Sequence, residues 1–149
     1  MIHDVLKLMM ESEMHRKWYI EDLKRLVVPA LENKKMLVMY DETRPAGLFS
    51  YAFLPKEAEQ GYLDGTQKLQ SEIWSNGPKD GSLYVIDFIA PYQNALALGR
   101  FAQKRLTERY IETYPFDGAH FIRQMKGRRV GYATGVQSEL DMRRYCCAV

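Results

Sequence analysis

Leu83-Tyr84-Val85-Ile86-Asp87-Phe88-Ile89-Ala90-Pro91 is the stretch on which the fold of this chain turns. β-Branched and aromatic residues dominate it, and Gly81 and Pro91 bound it, which predicts a buried strand. Asp87 stands in the middle. A polar group buried without a partner costs roughly 2–7 kcal/mol, and an isolated charge costs more. The strand therefore predicts a basic group against Asp87. Of the three histidines, His15 has the most suggestive setting, in Ser12-Glu13-Met14-His15-Arg16-Lys17-Trp18. A histidine held by a buried aspartate is a common construction of a general base. The competing reading is a purely structural pair that satisfies a buried carboxylate.

Working outward, Ile2, Val5, Leu6 and Met9 recur at helical spacing and predict a helix over residues 2–11. Leu23, Leu26, Val27, Ala30 and Leu31 predict a second over 20–32, which Pro29 should kink or end. Residues 36–40 and 47–53 read as two strands of a hairpin around the turn Asp41-Glu42-Thr43-Arg44-Pro45. A helix is expected from Lys56 into the sixties, and Ser75-Asn76-Gly77-Pro78-Lys79-Asp80-Gly81 signals a loop. After the Asp87 strand come a long helix at about 94–111 and strands at 119–123 and 130–133, joined by Lys126-Gly127-Arg128-Arg129. A short helix is expected in the last dozen residues. This order predicts a mixed twisted sheet flanked by helices, an α+β or α/β layer architecture in a single domain over residues 1–149.

The bulk properties narrow the class. The 149 residues are 46% hydrophobic and 27% charged, ordinary for one globular domain. A net charge of +2 does not argue for nucleic acid. No apolar stretch approaches the ~20 residues of a membrane helix, and the start lacks the pattern of a signal peptide. Cys146 and Cys147 are the only cysteines, so neither a disulfide framework nor zinc spacing can be built, which favours a reducing, cytoplasmic setting. Cys146-Cys147-Ala148-Val149 formally fits a prenylation box, but no polybasic run adjoins it.

Ser12-Glu13-Met14-His15-Arg16-Lys17-Trp18, then Val28-Pro29-Ala30-Leu31, then Pro45-Ala46-Gly47, Trp74 and Val85-Ile86-Asp87-Phe88-Ile89-Ala90-Pro91-Tyr92 fall in the order found in one family. Over roughly residues 9–110 the chain resembles the RTX toxin-activating lysine acyltransferases, the hemolysin-activating proteins. The resemblance implies a fold similar to the GCN5-related N-acetyltransferases. It implies transfer of a fatty acyl group from acyl carrier protein to an internal lysine of a toxin-like protein. It also implies His15 and Asp87 as the catalytic pair, with Ser12 in support. Glu13 stands where family members often have proline.

Acyl transfer to lysine requires the ammonium, ordinarily titrating near ~10.4, to lose a proton before it can attack. The tetrahedral oxyanion needs hydrogen-bond donors. His15 could take the proton while Asp87 orients the ring, without a protein nucleophile. Ser12, His15 and Asp87 also invite a hydrolase reading, but no G-x-S-x-G elbow is present, and a capping or supporting role for Ser12 is expected. His3 and His120 lack metal spacing and read as non-catalytic; no metal or bound cofactor is expected. Coenzyme A-dependent acetyltransferases carry a glycine-rich pyrophosphate loop after the central strand; here Gly99 falls inside the helix, which favours a protein-bound donor. Arg100, Lys104 and Arg105 on the long helix are candidates for docking an acidic acyl carrier protein, with Arg109 and the turn cations Lys126, Arg128 and Arg129 as further basic positions. The rival functions are a coenzyme A-dependent N-acetyltransferase and a non-catalytic binding protein on the same scaffold. Nucleic acid and a membrane span are not expected, and a homodimer is left open.

Overall fold

Alternating apolar residues on either side of a two-residue turn bring the first two strands together. β1 (Met36–Asp41) and β2 (Arg44–Leu54) pair antiparallel, with Glu42 and Thr43 between them and Glu42 at φ 49°. The computed structural model describes residues 1–64, 66–110, 118–125 and 128–135. Both hairpin strands are longer than the sequence pattern predicts. Pro45 is accommodated inside β2, next to a register shift after Met39 where one ladder position is skipped.

Three more strands, β3 (Ser82–Ile89), β4 (Gly118–Met125) and β5 (Arg128–Gly135), complete a five-stranded sheet in the order β1-β2-β3-β4-β5. β3 pairs antiparallel with β2 and parallel with β4, while β4 and β5 form an antiparallel hairpin. The parallel step requires a crossover, and α5 (Ala95–Tyr110) supplies it. The mixed sheet and its flanking helices form the α+β layer arrangement expected from the sequence. Lys126, Cys146, Cys147 and the helix expected in the last dozen residues lie outside the described residues.

The sheet separates two apolar clusters. On one face α1 (Ile2–Glu11) contributes Val5, Leu8 and Met9, which pack with Leu26, Val27, Ala30 and Trp74 over Met36, Leu48, Ala52, Leu54, Tyr84 and Ile89. On the other, α5 lays Leu98, Ala102 and Leu106 against Phe49, Tyr51, Phe53, Leu83 and Val85. Each such side chain contributes about 1.5–3 kcal/mol by leaving water. Gly47 marks the close approach of α5: a Cβ there would stand 3.0 Å from Leu98 Cδ1.

Pro29 does not end the second helical region, which continues past it to Glu32. α2 (Ile20–Asp22) runs into a π-helical stretch, Leu23–Val27, and then into α3 (Val28–Glu32), which contains Pro29 in its first turn. The wider turn, with Val28 N–H donating to Leu23 O, lies directly ahead of the proline. It makes room for a ring that lacks an N–H and would crowd the carbonyl four residues back. The region closes through Lys34 at φ 55°, where Lys34 N–H bonds Leu31 O and Lys35 N–H bonds Ala30 O at 2.8 Å. This is the 6→1 and 5→2 pattern of a Schellman motif, and it turns Lys35 inward. α4 (Lys56–Asp64) follows β2 as expected, and ahead of β3 the sequence pattern missed the short 3₁₀ turn Ser71–Trp74, which buries Ile73 and Trp74.

Candidate active site

The position of Asp87 is decided by one extra residue. Leu83 and Val85 belong to the α5 face, so strict alternation would send Asp87 there too. Ser50 pairs with Asp87, however, while Tyr51 pairs with Val85, so Ile86 is the additional residue of a bulge. After it the phase is reversed. Phe88 joins the α5 cluster, Ile89 the α1 cluster, and Asp87 points with Ser50 to the α1 face. The bulge thus delivers the carboxylate to the side of the sheet that carries His15.

His15 sits in the 3₁₀ turn His15–Lys17 that follows α1. Its Nε2 is 3.0 Å from Asp87 Oδ1, and the two residues are only 5% and 6% exposed. Its Nδ1 is 2.7 Å from Ser12 Oγ. An ionised aspartate can only accept, so in the neutral ring Nε2 donates to Asp87 and Nδ1 accepts from the Ser12 hydroxyl. The imidazole also lies against Trp18, with ring centroids 4.8 Å apart. Ser12 ends α1, and its side chain is directed at His15 rather than at a helix terminus. Asp87 Oδ2 accepts from Ser50 Oγ at 2.5 Å, and the Asp87 amide donates back to the same oxygen at 3.1 Å.

The structure therefore brings Ser12, His15 and Asp87 together and adds Ser50, which the sequence reading missed. The available signal was a single serine among the apolar and aromatic residues of the run Gly47–Phe53, on the face opposite Phe49 and Tyr51. Arg100, Lys104 and Arg105 are not part of this cluster. They are exposed on α5, which covers the other face of the sheet, and Glu108 lies 3.9 Å from Lys104 and 3.3 Å from Arg105. His3 is exposed on α1, and His120 falls in β4 opposite Tyr84 of β3. Among the described residues no group of three or more His, Cys, Asp or Glu side chains is arranged to hold a metal ion. No helix among them is long and apolar enough to cross a membrane.

One further buried cation lies away from the cluster. Lys35 is 4% exposed, donates its ammonium to Asn76 O, and sits 5.4 Å from the Phe53 ring centre. Burial, with the nearby Arg109 charge adding to it, lowers its pKa to about 8.

The arrangement is that of an oriented imidazole: one nitrogen anchored by a buried carboxylate, the other presented beside a partly buried serine. The model of the HlyC, RTX toxin acyltransferase family matches residues 1–128. The chain belongs to this family. Among relatives, it is 31% identical to the RTX-II toxin-activating lysine-acyltransferase ApxIIC of Actinobacillus pleuropneumoniae over 112 residues, 75% of this chain and 63% of that protein. It is 26% identical over 135 residues to the leukotoxin-activating lysine-acyltransferase LktC serotype A1 of Mannheimia haemolytica, covering 91% of this chain and 77% of the relative. Protein-lysine myristoyltransferase RtxC of Kingella kingae is 25% identical over 130 residues, 85% of this chain and 76% of its own. Against several of these family members the match spans about three-fifths of the relative's length, 63% for ApxIIC and 62% for the serotype A11 LktC.

Proposed function

We propose that this protein is a cytoplasmic protein-lysine acyltransferase. In this reading it moves a fatty acyl group from the thioester of an acyl carrier protein to an internal lysine of a toxin-like protein. The observation that carries the proposal is the buried His15–Asp87 pair with Ser12 against its other ring nitrogen, in a chain of the toxin acyltransferase family. His15 is the base and Asp87 its orienter.

The chemistry follows from the ring's two ends. The target lysine arrives as an ammonium and gives one proton to His15 Nδ1, displacing the Ser12 hydroxyl. Asp87 stabilises the imidazolium that results, because its Oδ1 already accepts from Nε2. The free amine then attacks the thioester carbonyl and forms the C–N bond. The tetrahedral intermediate collapses with cleavage of the C–S bond, and the thiolate takes up a proton as it leaves. An amide and the carrier's free thiol are the products, and one proton is released overall.

Docking of the acidic carrier is assigned to Arg100, Lys104 and Arg105, which stand exposed on α5. The absence of a glycine-rich turn between β3 and α5, where Pro91-Tyr92-Gln93-Asn94 lies instead, supports a protein-bound donor over free coenzyme A.

The deciding experiment offers labelled acyl carrier protein or labelled acetyl-coenzyme A with candidate acceptor proteins, using the wild type, His15→Ala and Asp87→Asn. Transfer from the carrier that drops about 10²–10⁴-fold in both variants is expected. Transfer from coenzyme A alone would move the assignment to an N-acetyltransferase. No transfer from either donor would leave a binding protein.

A further inference from the structure

We propose that Ser50 is a positioning residue of this site. Together with the bulge at Ile86, its hydroxyl fixes the Asp87 carboxylate so that His15 is held in the one tautomer able to act as a base at Nδ1. The inference rests on the reading of His15 as that base. Ser50 is fully buried in a strand whose neighbours are Phe49, Tyr51, Ala52 and Phe53. A hydroxyl in such a place is costly unless both its donor and acceptor capacities are used. Here both are used on a single residue. The hydroxyl donates to Oδ2 of Asp87 and accepts from the amide of Asp87.

The geometry divides the carboxylate between two tasks. Oδ2 is held by Ser50 and Oδ1 faces His15 Nε2, so rotation of the carboxylate would break both bonds. An aspartate fixed in this way offers the ring only an acceptor, and Nε2 must carry the hydrogen. Nδ1 is then the free lone pair, directed at Ser12 and at whatever displaces the Ser12 hydroxyl. The bulge contributes the other half of the device. It turns Asp87 to this face, and Ser50 is the residue directly across the ladder from it. Ser50 touches neither the ring nor any reacting atom; it acts through Asp87.

The test is Ser50→Ala, read by ¹⁵N NMR of the His15 ring and by steady-state kinetics with acyl carrier protein and acceptor. The wild type should show the fixed Nε2–H tautomer pattern. Ser50→Ala should lose that pattern and lower kcat about tenfold, part of the range that a positioned base provides. The KM values for carrier and acceptor should stay unchanged. Leu98→Ala, on the opposite face of the same sheet, serves as a destabilised control and should keep the wild-type ring spectrum. A wild-type ring spectrum and kcat in Ser50→Ala would overturn the proposal, as would the same spectral change in Leu98→Ala. If Ser50→Ala does not fold, Ser50→Cys keeps a side chain of similar size with a weaker donor, and the same outcomes decide. The ring spectrum needs no substrate. A wild type that transfers no acyl group would therefore sink the acyltransferase reading without deciding the role of Ser50.

Discussion

Replacing His15 by alanine should cost this protein more than the loss of one hydrogen bond, and a second substitution should return part of that cost. A net hydrogen bond to a charged group is worth about 1.5–3 kcal/mol. Removing the imidazole also leaves Asp87 as a carboxylate that is 6% exposed, with Ser50 on Oδ2 and nothing in place of Nε2 on Oδ1. Truncating one member of a buried pair costs about 3–5 kcal/mol, because the remaining charge is uncompensated. With a urea slope of about 2 kcal/mol per molar, the unfolding midpoint of His15→Ala should fall by about 2 M. Adding Asp87→Asn to that variant removes the charge while keeping an acceptor for the Ser50 hydroxyl. The double variant should recover about 2 kcal/mol relative to His15→Ala, a coupling well above the scatter expected for independent sites. Urea unfolding of the wild type, both single variants and the double variant at pH 7 completes the cycle. Additive losses, or a His15→Ala variant within 1 kcal/mol of the wild type, would refute the claim that Asp87 is a buried charge held by His15.

Other expectations follow from single contacts. Gly81→Ala places a Cβ 1.9 Å from the carbonyl oxygen of Leu54, so backbone must move. Thermal unfolding should show a loss of about 1–3 kcal/mol or more, while Gly77→Ala, whose Cβ would meet only Asp80 Oδ2 at 3.6 Å, serves as the control. Lys35 gives a pH signature. Its pKa of about 8 in the folded chain lies below the ordinary 10.5, so between those values the unfolded chain holds a proton that the folded one has shed. Stability should therefore rise with pH across that window, the cost of the buried charge being fully present below it. Chemical denaturation of the wild type against Lys35→Met at pH 7.5 and pH 9.5 checks this, and equal slopes for the two proteins would contradict it. Arg100→Glu combined with Arg105→Glu should raise the KM for acyl carrier protein about tenfold or more with the fold intact, since charge reversal sets two repulsions against an acidic partner. Unchanged carrier kinetics would remove α5 as the docking surface.

Much of the fold was legible because its signals are local. The run Leu83–Ile89 and the hairpin around Glu42 and Thr43 declared themselves through residue type and turn chemistry. The partnership of Asp87 with His15 was legible for an energetic reason, the cost of an unpaired buried carboxylate. Its surroundings were not. Ile86 is an ordinary strand residue, and nothing in its identity announces a bulge; only the pairing of Ser50 and Tyr51 with residues two apart reveals it. Ser50 was hidden for the same reason, because its relation to Asp87 depends on that register. Pro29 misled in the opposite direction. The rule that proline ends a helix is sound for an α-helical ladder, and the π-helical turn ahead of it evades the rule. The cations of α5 were legible as a stripe, but the face of the sheet on which the stripe would fall could not be read from helical spacing alone.

The bulge at Ile86 also makes the site a matter of counting. Substitution at position 86 changes what fills one point of the apolar layer and leaves the reading frame of the strand untouched. Deleting Ile86 would set Asp87 directly after Val85, and simple alternation would then leave the carboxylate on the α1 face opposite Ser50, whereas keeping Ile86 and flattening the bulge would aim it at Leu98 and the far face. An Ile86 deletion should therefore spare the pairing of Asp87 with Ser50, while a change that straightens the strand with Ile86 in place should break it. The face that Asp87 takes is set by how the chain bends between Val85 and Asp87, and not by the kind of residue that fills the bend.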